Sequence, residues 1–175
     1  VNMDKIAICG KMASGKTHLA QRLTDERGFQ RFSLGGAVKR LGTDYFDMVK
    51  KDRPLLQQIG MKMREIRESV WLDSVISQSE NYLQVVCDDV RFINEAKTLK
   101  DNGWMLIKLD IEDDLQKSRL QKTYGEDWEV HWNNRADPSE AEVDKIPLEW
   151  FDEIIVASND DSPIESLLKA VIGIQ

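Results

Sequence analysis

Apolar residues gather in four short runs: Lys5 to Cys9, Tyr82 to Cys87, Trp104 to Leu109 and Glu153 to Ala157. They are rich in Ile, Val and Leu without strict alternation, the pattern of parallel strands covered on both faces. Gln30 to Ser33 reads as a weaker fifth strand. Helical spacing fills the intervals. Thr17 to Glu26 places Leu19, Ala20 and Leu23 on one face and stops at Arg27-Gly28, a fitting C-terminal cap. Further helices are expected over Leu55 to Val70, Asn94 to Lys100, Asp113 to Thr123 and Pro163 to Val171. Strands alternating with helices predict an α/β fold with right-handed crossovers. Ligands in such sheets sit at the carboxyl ends of strands, here after Cys9, Cys87 and Leu109.

Two stretches have no strand to belong to. Residues 34–72 are helical in pattern and rich in Lys and Arg, and residues 121–147 have poor periodicity. Long insertions of this kind are usually functional. The division expected is a single domain, 1–175, with a core of 1–33, 73–120 and 148–175, a helical insertion at 34–72 and a lid at 121–147.

Composition narrows the class. With 41% hydrophobic residues in 175, the chain can bury a real core, and wholesale disorder is excluded. Twenty-four Lys and Arg against 31 Asp and Glu give −7, which argues against a general nucleic-acid or membrane-surface binder. No apolar run is long enough to span a bilayer, and the start of the chain shows no secretory pattern, so a cytoplasmic protein is expected. Cys9 and Cys87 both end apolar runs, where reduced, unpaired thiols are expected.

The strongest chemical signal is Gly10-Lys11-Met12-Ala13-Ser14-Gly15-Lys16-Thr17, a GxxxxGKT motif between a strand and a helix. Glycines let successive N–H groups turn toward one anion, and the helix N-terminus adds about half a positive charge. In such a loop Lys16 reaches the outer phosphates and the Thr17 hydroxyl serves Mg²⁺. Residues 11–18 are therefore expected to bind ATP or a close relative, with His18 there as a surface or packing residue rather than a base.

Three uses of the triphosphate compete. A GTPase switch would carry an NKxD-type motif, which is absent, and a motor would need a larger body. A small kinase needs cations converging on the transferred group, because positioning and charge do most of the work in phosphoryl transfer. Lys39, Arg40, Arg53, Arg64 and Arg67 in the first insertion, with Arg119, Lys122 and Arg135 near the second, supply them. At the third strand's end, Asp88-Asp89-Val90-Arg91 offers a metal-binding acid and a bidentate phosphate ligand. Asp88 and Asp89 point to opposite sides, and which one serves the metal stays open. Asn94-Glu95 reads either as helix surface or as part of this site. Asn159, after the last strand, is expected either at the adenine or in a helix cap. The acids from Asp110 to Asp114 are expected to cap the next helix, and Trp128 and Trp132 to pack.

The segments GKMASGKT, GFQRFSLGGAVKRL, RPLLQQIGMKMRE, DVRFINEA and IIVASNDDSPIESLLKAV together resemble the bacteriophage deoxynucleoside monophosphate kinases. The resemblance implies a phosphate-loop NTPase fold: a five-stranded parallel sheet with helices on both faces, a monophosphate-binding insertion and a lid. It implies transfer from ATP, with Mg²⁺, to a (deoxy)nucleoside monophosphate, in a monomer or homodimer, in host cytoplasm if phage-encoded. Lys39, Arg53, Gln57, Arg64, Asp89, Arg91 and Glu95 would serve the acceptor, and Lys16, Arg91, Arg119 and Arg135 the transferred group. The alternatives are a kinase for another small metabolite, such as dephospho-coenzyme A, and a nucleotide-holding module without catalysis.

Overall fold

The computed structural model describes residues 4–136 and 138–172. In chain order its elements are β1 (Lys5–Gly10), α1 (Lys16–Arg27), β2 (Gln30–Phe32), α2 (Leu34–Phe46), α3 (Arg53–Ile66), α4 (Val70–Ser79), β3 (Val85–Val90), α5 (Ile93–Asp101), β4 (Met105–Asp110), α6 (Asp113–Tyr124), α7 (Trp128–Asn133), α8 (Pro138–Ala141), β5 (Glu153–Val156) and α9 (Ser162–Ile172), with short 3-10 turns around α7 and α8 and before β5. Among the described residues, no helix is long and apolar enough to cross a membrane.

The chain forms two compact units, one of residues up to Arg31 together with those from Gln84 onward, the other Phe32–Leu83. The second unit runs past the 34–72 expected for the insertion, because α4 adds a further helix with Trp71, Leu72 and Val75 buried.

The sheet has the order β2-β3-β1-β4-β5, and β1 runs parallel to both β3 and β4. This is the five-stranded parallel sheet with helices on both faces expected from the pattern. Ile6 lies level with Val86 and Met105, and Ala7 with Cys87 and Leu106. Alternation then divides the sheet's side chains. Ile6, Ile8, Val86, Met105, Ile107 and Leu109 join Leu19 and Leu23 of α1 and Leu167, Leu168 and Val171 of α9 in one continuous core. Ala96 and Leu99 of α5 are also fully buried. The connection from β1 leads to one side of the sheet and that from β3 to the other, so the carboxyl ends of these neighbours flank a crevice suited to a ligand.

The third strand differs from expectation. It spans Val85–Val90 rather than Tyr82 to Cys87, with Tyr82 and Leu83 exposed. Two acids read as a terminator, yet Asp88 stays inside because Arg31 donates to its Oδ2 at 2.5 Å. The strand's working end is therefore Val90-Arg91. Cys9 and Cys87 are buried and free, as expected. Burial pushes the Cys9 thiol up to about 12 and Cys87 well above its ordinary value.

In the second unit, α3 and α4 both pack against α2. Ser33 Oγ accepts from Gly36 N at 2.7 Å to cap α2, and Asp52 Oδ1 accepts from Leu55 N at 3.1 Å to cap α3. Phe32 and Tyr82, at the two ends of the unit, meet edge to face with centroids 5.8 Å apart.

Candidate active site

The loop between β1 and α1 is shaped by local backbone. Gly10 leaves no room for a side chain: an added Cβ would meet Leu109 O and Ser14 Oγ at 2.7 Å. Gly15 takes φ 102° as the N-cap of α1, and Ala13 takes φ 64° without being glycine. A left-handed alanine costs about 1 kcal/mol and is tolerated where it serves a site. Alternating left- and right-handed residues aim successive N–H groups into one concavity, an anion nest.

Lys16 Nζ turns back on this loop and donates to Gly10 O at 2.5 Å. Burial pushes its ammonium below the ordinary range, the Glu140 carboxylate pulls it back up, and the Arg91 guanidinium pushes it further down. Lys16 opens α1 after β1 and Arg91 follows the neighbouring β3, so both lie at the same carboxyl edge of the sheet. No side-chain hydrogen bond or ion pair of Arg91 occurs among the described residues, whereas its backbone N–H donates to Glu95 Oε1. Phe92 N donates to the same oxygen, so Glu95, expected at the acceptor, serves at least as the N-terminal cap of α5.

Beside the loop runs a groove of about 670 Å³, lined by Lys11, Ala13, Lys16, Thr17, Arg119 and Lys122 among others. It adjoins a slot of about 240 Å³ with apolar walls from Leu109, Ile155, Pro163 and Ile164 and a polar rim at Ser158 and Asp160. A polyphosphate suits the first and a flat base the second. Ser14 and Gly15 line both, and Ser14 Oγ is buried with no partner, a hydroxyl still to be satisfied. Asn159, expected at the adenine, does not line the slot, although Ser158, Asp160 and Asp161 do. It is the neighbouring Asp160 that caps the next helix: its Oδ1 accepts from Ser162 N at 2.9 Å, which lowers its pKa. His18, half exposed, meets Asp161 at 2.9 Å across the mouth of the slot.

The two arginines expected at the transferred group are held differently. Arg119 donates to Ala13 O and Ser158 O, both at 2.9 Å, and so ties the phosphate loop to the loop after β5. It lines both cavities, but its described hydrogen bonds go to main chain. Arg135 stacks on Trp132, 3.2 Å from its centroid, with the Lys117 ammonium also over that ring. It also donates to Trp132 O and faces Asp113 at 3.6 Å. Trp132 therefore organises cations rather than filling apolar space. The run from Asp110 to Asp114 also differs from expectation: it forms no side-chain cap for α6, with Asp113 and Asp114 in its first turn and Asp110 paired to Lys108 at 3.2 Å.

The expected metal ligands fall at the same end of the sheet. Thr17 is exposed in the first turn of α1, Asp88 is 4% exposed, and Asp89 is half buried. Burial raises Asp88, and Arg31, ion-paired with it, opposes the rise. Among the described residues no cluster of three or more His, Cys, Asp or Glu is arranged for a metal. A Mg²⁺ held largely through phosphate oxygens and water needs few protein ligands, and a hydroxyl with a nearby carboxylate fits it.

Lys39, Arg53, Gln57 and Arg64 belong to the second unit and are exposed there. Arg53, Gln57 and Arg64 fall within about 40° of one another around α3, so they form one polar strip. Arg64 lies back over Gly60, where an added Cβ would come 3.4 Å from its Nη1.

Several groups beside the loop escaped the sequence reading. Glu140 Oε2 accepts from Met12 N, and Gln116 Nε2 donates to Met12 O, both at 2.8 Å. Asp144 faces Lys11 at 3.2 Å and the buried Lys108 at 3.8 Å. Val143 and Ile146 are 0% and 2% exposed, so the end of the expected lid is anchored in the core. The one available signal was the pair Val143 and Ile146 amid polar residues.

No protein-family model matches the chain, and no curated protein sequence does. Solved structures do resemble it. An uncharacterized protein from Eubacterium ventriosum superposes with TM-score 0.63 at 14% identity, over 98% of this chain and 99% of that one. The shikimate kinase from Acinetobacter baumannii, in complex with shikimate, gives 0.55 at 15%, covering 99% and 96%. A sugar kinase from Janibacter gives 0.55 at 16%, covering 98% and 95%. At such identities the likeness establishes the fold alone, the phosphate-loop NTPase fold with its five-stranded parallel sheet between helices.

Proposed function

We propose that the protein transfers a phosphoryl group from ATP to a (deoxy)nucleoside monophosphate, giving ADP and the diphosphate. The observation that carries this reading is that Lys16, in the loop after β1, and Arg91, at the end of β3, follow neighbouring parallel strands and so stand at one carboxyl edge of the sheet. Two cations brought together at a strand-end crevice make a site for an anion, and a transferring phosphoryl group is one. A module that merely holds nucleotide has no use for the second cation.

The chain's own groups divide the work. The nest of loop N–H groups and the start of α1 receive the β- and γ-phosphates. Lys16 exchanges the Gly10 carbonyl for a phosphate oxygen. Arg91 neutralises charge on the acceptor side, and the strip of Arg53, Gln57 and Arg64 is proposed to hold the acceptor's phosphate and base. Mg²⁺, held by Thr17 with one of the acids Asp88 and Asp89, would neutralise charge on the phosphate oxygens. In-line transfer asks little covalent work of the protein, so no general base is assigned.

The names of the Acinetobacter and Janibacter kinases favour a second reading, a hydroxyl on a small metabolite as acceptor. One assay separates the two. ADP release from ATP is measured with each common nucleoside and deoxynucleoside monophosphate, with dephospho-coenzyme A, and with shikimate and simple sugars. Turnover confined to monophosphates supports the first reading, turnover confined to a metabolite replaces it with the second, and ATP binding without turnover on any acceptor removes the kinase.

A further inference from the structure

We propose that Glu140 is a built-in competitor for the nucleotide's outer phosphate, seated on the phosphate loop until a polyphosphate displaces it. This rests on the loop being the nucleotide site, as above. Its carboxylate takes the Met12 N–H at 2.8 Å, one of the loop's own donors. The same carboxylate is the strongest charged influence on Lys16, so it lies in the field the phosphates would occupy. The contact is built from both ends. Gln116 holds the carbonyl of Met12 at 2.8 Å, and Asp144 engages Lys11 at 3.2 Å and Lys108 at 3.8 Å. Val143 and Ile146 anchor the following turn and keep the acids over the loop.

A carboxylate and a polyphosphate cannot both be bound at these donors, since like charges a few ångströms apart in a partly dry groove repel strongly. Glu140 must therefore leave Met12 when the nucleotide arrives. In exchange, an empty loop with a left-handed alanine keeps its shape, because a surrogate anion satisfies the nest. The consequence is a weaker, gated nucleotide affinity.

The test is calorimetric titration of the full chain with ATP and, separately, with inorganic tripolyphosphate, for the wild type and Glu140→Gln. Gln keeps size and acceptor but loses charge, so both probes should bind about tenfold more tightly. Glu140→Ala, which removes the acceptor, should tighten both at least as much. In stopped flow, the wild-type association rate should level off with rising ATP, as departure of Glu140 becomes limiting, and the variant's should keep rising. Binding by all three proteins with unchanged or weaker affinity in the two variants overturns the competitor alone. Failure of every protein to bind either probe overturns the phosphate-loop reading beneath it as well.

Discussion

The sheet unit and the helical unit place their functional side chains by different means. In the sheet unit, Lys16, Gln116, Arg119 and Glu140 are each fixed by hydrogen bonds to the backbone of one loop. Lys16 opens α1 just after the left-handed Gly15, while Gln116 and Arg119 reach the loop from α6 and Glu140 from α8. In the helical unit, Lys39, Arg53, Gln57 and Arg64 are exposed and show no side-chain hydrogen bond or ion pair among the described residues. On α3 only the helical period aligns Arg53, Gln57 and Arg64. Its apolar residues are also less covered, with Tyr45 76%, Val49 95% and Ile66 80% exposed. One unit is a built frame, the other a displayed surface, and substitutions should affect them differently.

The largest effect is expected in the frame. Lys16→Ala should lower phosphoryl transfer about a thousandfold or more, because a charge aimed at the transferring group is lost from a partly dry site. Its side chain serves the loop and ligand, so the unfolding transition should stay near that of the wild type. Near-normal turnover would break the claim that this loop does the chemistry. Next is the core beneath it. Ile107 is fully buried in the cluster joining β4 to α1 and α9. Ile107→Ala should cost about 2 to 5 kcal/mol in denaturant unfolding, the transfer loss plus a cavity. A loss below about 1 kcal/mol would show that the frame is loosely packed.

The arginines come third. Arg64→Ala and Arg91→Ala should each lower acceptor kcat/KM roughly ten- to a hundredfold, since a charge-assisted phosphate contact is worth about 1.5 to 3 kcal/mol. ATP affinity should barely change, and Lys should rescue only in part, having charge without the planar fork. An ATP affinity that collapses, or acceptor turnover left untouched, would remove these residues from the acceptor side.

How much of this was legible in the sequence follows the same division. The phosphate loop, the strand sequence and the helices α1, α5, α6 and α9 of the sheet unit stand in local patterns, because GxxxxGKT and apolar runs encode them within a few residues. The bounds of β3 did not, since the partner that keeps Asp88 inside a strand is Arg31, fifty-seven positions away. Glu140 is harder still. It lies 128 positions from Met12, in a polar stretch where nothing local separates a loop-binding acid from a solvated one. Arg119 was legible as a cation near the site, but its hydrogen bonds to two carbonyls depend on a loop geometry no spacing reveals. Arg53, Gln57 and Arg64 were named through the resemblance; the helix expected from Leu55 left Arg53 outside it, whereas α3 begins at Arg53.

The smallest effect belongs to the displayed surface. Tyr45 stands beside a groove of about 450 Å³ formed with Leu41, Phe46, Leu55, Ile59 and Met63, all within the helical unit. With 76% of its surface exposed, it buries little on folding, and truncation opens no internal cavity. It lies in the last turn of α2, where helix propensity has least weight because ends fray. Tyr45→Ser should therefore change stability by no more than about 0.5 kcal/mol, the ordinary range for surface substitutions. Set beside Ile107→Ala in the same denaturant series, it measures the contrast directly. A loss above about 1 kcal/mol would mean that Tyr45 carries packing its exposure does not reveal. The helical unit would then be a frame of its own, and its arginines would be positioned by more than a period.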